Sequence, residues 1–114
     1  MEGYENNVIV MKTLQFSLGI MAFTDVLGAN RRFVFANQLL KSGTSIGANV
    51  REAQSAESKA DFVHKMKIAS KEAEETEYWL TLCLLAPNYP NPEELLPGVR
   101  EILKILGKII SSSK

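Results

Sequence analysis

The 114-residue chain carries one histidine and one cysteine, and their settings decide most of the covalent chemistry open to it. His64 follows Asp61 in Asp61-Phe62-Val63-His64, half of the carboxylate-x-x-His pattern that di-metal helical bundles use twice. Without a second histidine that site cannot be completed. One His and one Cys do not build a zinc site by themselves. Cys83 falls on an apolar helical stripe, the place of a small core residue rather than of a reactive thiolate. Gly43-Thr44-Ser45-Ile46-Gly47 has glycines like those of a phosphate loop but lacks the closing Gly-Lys-Ser/Thr. Close helix packing at Gly43 and Gly47 is the better account. Ser42, Thr44 and Ser45 have no histidine nearby in sequence to activate them. The expectation is a protein without catalytic residues, metal or cofactor.

What remains is electrostatic and apolar. Thirteen Lys and Arg balance thirteen Asp and Glu, with a pI near 6.6, which argues against general disorder and against a strongly basic nucleic-acid-binding domain. The charges are nevertheless segregated. Residues 31–71 hold Arg31, Arg32, Lys41, Arg51, Lys59, Lys65, Lys67 and Lys71 against Glu52, Glu57 and Asp61, whereas residues 72–101 hold seven glutamates against Arg100.

The elements that position these groups are helices. Hydrophobic residues make up 46% of the chain, enough for a real core in one domain over residues 1–114. Four segments show helical periodicity and none sustained alternation. The first, about Asn7 to Gly28, has a stripe of Ile9, Phe16, Ile20, Phe23 and Leu27, widened by Val10, Leu14, Leu18 and Met21; Gly28-Ala29-Asn30 supplies its stop. The second, about Arg31 to Gln54, places Phe33, Ala36, Leu40, Gly43, Gly47 and Val50 at spacings of three and four. The third opens on Ser58-Lys59-Ala60-Asp61, a capping box with Asp for Glu. It continues as a heptad seam of Phe62, Met66, Ala69, Ala73, Thr76, Leu80 and Cys83, and must stop before Pro87. Asn91-Pro92-Glu93-Glu94 reads as a fourth helix start, interrupted at Pro97-Gly98, with the main helix from Val99 to about Ser111.

Four helices on short connections make an up-down-up-down bundle. That topology brings the turn between the second and third helices and the end of the fourth helix to one end, collecting Arg51, Lys59, Lys65, Lys67, Lys104, Lys108 and Lys114, with Glu93 and Glu94 at the other. A basic end suits RNA or DNA, and Arg51 also suits a carboxylate or a neighbouring subunit. The fourth helix offers Ile102, Ile105, Leu106 and Ile109, with Val99, Leu103 and Ile110, more than one stripe hides. Together with the wide first helix, these residues are expected to bury surface in a homo-oligomer. A protein-interaction scaffold that captures a protein partner is the alternative function. The N-terminus, Met1-Glu2-Gly3-Tyr4-Glu5, is acidic where a secretory signal is basic. The longest uncharged apolar run, Thr13–Thr24, falls short of the roughly 20 residues a membrane span requires. No membrane association and a cytoplasmic location are expected.

The stretch from Lys41 to Ala53, KSGTSIGANVREA, resembles the signature of the 23S rRNA intervening-sequence protein family, and DFVHKMKIASKEAEETEYWL, Asp61–Leu80, is similar to that family's third helix. The resemblance is specific across residues 38–85 and general in the flanking helices. It implies a bacterial, cytoplasmic, left-turning four-helix bundle without enzymatic activity, assembled as a homo-oligomer and typically a pentamer. A similar bundle is the accessory protein of diversity-generating retroelements, a basic pentamer that binds nucleic acid and a reverse transcriptase.

Overall fold

The computed structural model describes residues 4–113, with side chains from Val8 onward. Its elements are α1 (Tyr4–Ala29), α2 (Phe33–Ala53), α3 (Lys59–Leu85) and α4 (Leu96–Ser112), with no strand among the described residues. Each helix packs on its sequence neighbour, and α4 closes the square against α1. The bundle measures 45 × 20 × 18 Å.

The helix ends show how the chain enforces this. The amides of Arg31 and Arg32 return to the carbonyls of Gly28 and Leu27 at 2.9 and 2.8 Å, closing α1 in a Schellman motif. The left-handed residue there is Arg31, with φ 64°. Gly28, expected to stop the helix, lies inside it. Ser58 caps α3 by accepting the Asp61 amide at 3.0 Å. The Asp61 carboxylate accepts from the Glu57 amide instead of completing the box on Ser58. The expected helix start at Asn91 is only a turn, in which Asn91 Oδ1 accepts the Glu93 amide at 2.9 Å. Helix α4 begins at Leu96 with Pro97 in its first turn, where a missing N–H costs nothing, so Pro97-Gly98 opens the helix and does not interrupt it.

The core is one cluster drawn from all four helices. On α3 the buried residues are Phe62, Met66, Ala69, Ala73, Thr76, Leu80 and Cys83, the heptad seam without a change. On α2 the buried face is Leu39, Ser42, Gly43, Ile46, Val50 and Ala53. Phe33 and Leu40, placed on the inner stripe by spacing, are 57% and 42% exposed. On α1 the inner seam is Ile9, Thr13, Phe16, Ile20, Thr24 and Leu27. Its threonines are tolerated because each hydroxyl bonds a carbonyl of its own helix, Thr13 to Ile9 at 2.8 Å and Thr24 to Met21 at 3.0 Å.

Helix α4 corrects the expected assembly face. Ile102, Leu106 and Ile109 are 1%, 0% and 6% exposed inside the bundle, and Ile105 is half-buried. This short helix packs between α1 and α3, so Ile102, Leu106 and Ile109 belong to the chain's own core, while Leu103, Ile105 and Ile110 stay partly accessible. Helix α1 also meets the length and hydropathy of a membrane span over Val8–Ala29, which the shorter uncharged run did not suggest, because such a window tolerates Lys12 and Asp25. Its inner seam packs against α2 and α4, while Met11, Leu14, Leu18, Met21 and Val26 stay exposed on its outer side.

Candidate nucleic-acid interface and assembly face

Antiparallel order places the α2–α3 turn and the end of α4 together. Lys59, Val63 and Lys67 lie one turn apart on α3 and, with Ala60, His64 and Ser113, line an open depression of about 430 Å³. His64 is exposed there. Neither Lys59 nor Lys67 has an ion-pair partner among the described residues, so two cations and an imidazole face one solvent-filled hollow.

The other basic residues divide. Lys65 is 3.0 Å from Glu52, and this bond raises its pKa above the ordinary lysine value; the pair ties α3 to α2 and removes Lys65 as a free cation. Lys104 and Lys108 are exposed on the last turns of α4. Lys114 lies outside the described residues. Arg51 is exposed and lines a separate groove of about 340 Å³ between α1 and α2, with Val10, Leu14, Thr44, Gly47 and Ala48.

That groove exists because α1 and α2 approach closely. A methyl on Gly43 would stand 2.8 Å from Ile20 Cγ1, and one on Gly47 would stand 3.3 Å from the Thr13 carbonyl oxygen. Both glycines therefore face α1, and neither faces the basic hollow. Beside the groove, α1 turns a second seam outward: Met11, Leu14, Leu18 and Met21 are 45–60% exposed at spacings of three, four and three. Leu40 of α2 adds to the exposed apolar surface.

The chemistry-bearing residues elsewhere are quiet. Cys83 is buried and its thiol pKa is pushed up to about 11 by burial, which keeps it protonated. Among the described residues no three His, Cys, Asp or Glu side chains gather as a metal site. Glu72 has a raised pKa, first from burial and then from neighbouring Glu75.

Sequence spacing missed one cluster, at the opposite end. Phe35 meets Trp79 and Tyr89 edge-on at 5.1 and 5.0 Å, and the Arg32 guanidinium lies 4.1 Å from the centre of the Tyr89 ring. These residues come from α2, α3 and the two connecting loops, so no local motif announces them.

Residues 5–111 match the family described as 23S rRNA-intervening sequence protein. A similar solved structure is the 1.70 Å crystal structure of a protein of unknown function from the S23 ribosomal protein family of Bacteroides thetaiotaomicron. It is 44% identical over 94% of this chain and 98% of that one, with a TM-score of 0.87. No curated protein matches the chain.

Proposed function

Because this chain belongs to the 23S rRNA-intervening sequence protein family, we propose that it is a non-enzymatic, cytoplasmic homo-oligomer that assembles through α1 and holds RNA or DNA against its basic end. The observation that carries the reading is the hollow between Lys59, His64 and Lys67, where two lysines lack carboxylate partners among the described residues. Phosphate oxygens are the natural counter-charge for such a site.

Assembly supplies what one neutral chain lacks. The outward seam of α1 runs along the bundle's long axis. In a closed ring with cyclic symmetry every protomer points its basic end the same way. Each copy then adds its lysines to a shared surface, and weak contacts gain strength by multivalency. Five subunits is the count that the family resemblance implies.

The test is anisotropy of a fluorescent single-stranded RNA titrated with the protein at increasing salt. Binding should weaken steeply with salt. The Lys59→Glu/Lys67→Glu variant should bind more weakly and with a salt slope shallower by about 0.7 for each phosphate it no longer neutralises. Absence of binding at low salt, or affinity unchanged in the variant, would overturn the reading.

A further inference from the structure

The chain has a single histidine, and it stands in the basic hollow. His64 is exposed, with Lys67 three positions on and Ala60 four positions back, so imidazole and ammonium rise from neighbouring points on one face of α3. Lys59, Val63 and Ser113 complete the lining, and no carboxylate belongs to it.

The other charges at this end are turned elsewhere or stand outside the hollow. Asp61, three positions before His64, accepts the Glu57 amide at 3.2 Å, so its carboxylate serves the turn. Glu57 itself lies exposed in that turn, ahead of α3. Glu52 and Lys65 are paired with each other between α2 and α3. Lys71 on α3 and Lys104 and Lys108 on α4 are exposed and add only positive charge. An imidazolium formed in the hollow therefore finds its counter-charge in an incoming anion.

We propose that the hollow is a proton-linked phosphate site, in which His64 takes up a proton as nucleic acid binds and becomes a third cation against the backbone. The proposal rests on the reading of this end as a nucleic-acid surface. Histidine changes charge between pH 5 and 8, a range in which lysines and phosphodiesters keep theirs. A neutral imidazole offers one N–H donor and a protonated ring offers two. The added charge also strengthens the bond to a phosphate oxygen. Bound phosphate favours the protonated ring, and by reciprocity protonation favours binding. Affinity therefore rises as pH falls through the histidine range. At higher pH the ring sheds its proton, and Lys59 and Lys67 hold the strand alone.

The test repeats the anisotropy titration of single-stranded RNA from pH 8 to about pH 5.5. The native protein should bind about tenfold more tightly at the acid end, with a salt slope steeper by about 0.7 for the added cation. His64→Gln should lose that gain, and His64→Lys should bind as tightly at pH 8 as the native protein does in acid. One histidine gives one imidazole Cε1–H signal, so proton NMR reads the contact directly. That signal should titrate at higher pH with RNA than without it. Binding that depends on Lys59 and Lys67 but is flat in pH, a gain that survives in His64→Gln, or an imidazole signal that RNA leaves unmoved would each overturn this proposal and leave the nucleic-acid surface standing. Absence of RNA binding at every pH would overturn both.

Discussion

The hydroxyls of Ser42 on α2 and Thr76 on α3 meet 2.9 Å apart in the middle of the core, both sealed from solvent. Thr76 Oγ1 also lies 2.8 Å from the Glu72 carbonyl, so the pair is satisfied without water. It pins the register of the two helices that carry most of the basic end.

Thr76→Val removes one hydroxyl and leaves Ser42 with a buried unsatisfied donor, at a cost of about 1–3 kcal/mol. The Ser42→Ala/Thr76→Val double variant removes both groups and should recover part of that loss. Thermal melts of the two single variants and the double variant form the cycle. Additive losses would show that the hydroxyls do not interact.

Gly43 and Gly107 should respond to alanine with opposite signs. A methyl on Gly43 strikes Ile20, fully buried and unable to withdraw, so overpacking of about 1–3 kcal/mol outweighs the helix-propensity gain. Around Gly107 nothing stands within 4 Å, and Gly107→Ala should stabilise by up to about 1 kcal/mol. Melting temperatures moving in the same direction would contradict the close approach of α1 and α2.

Cys83 gives a pH dependence with a definite sign. Burial raises the folded thiol pKa from 9.0 to about 11. Between these values the unfolded chain has released its proton and the folded chain has not, so stability falls as pH rises. The loss should approach about 2 kcal/mol by pH 11. Urea melts from pH 8 to 11 check it: Cys83→Ala should flatten the slope, and an identical slope in both proteins would show that another group is responsible.

How much of this was legible in the sequence varies by helix. The α3 seam was complete because its face is narrow and period and burial coincide at every position from Phe62 to Cys83. On α1 and α4 the apolar arcs are wide, and periodicity cannot say which part of a wide arc a neighbour covers. Helix α4 spends Ile102, Leu106 and Ile109 on the core, while α1 keeps Leu14 and Leu18 outside. Thr13 and Thr24 escaped notice on the inner seam because their polarity masked the spacing.

The basic end was legible as a consequence of topology, but its pairing was not. Lys65 meets Glu52 across the α2–α3 turn, a contact that depends on interhelical register and not on local spacing. The contact of Arg32 with Tyr89 was invisible for a related reason: Tyr89 reaches it from a loop 57 positions away in the chain.

The proposed function rests most heavily on the outward seam of α1, since the proposed assembly through it would let each neutral bundle add its lysines to a shared surface. Light scattering at micromolar concentration measures it directly. The native protein should show a multiple of the 12.7 kDa chain mass, and Leu18→Glu, at a position 60% exposed, should fall toward 12.7 kDa while keeping its helical circular dichroism. A native mass of 12.7 kDa, or a Leu18→Glu variant that stays fully assembled, would contradict assembly through this face.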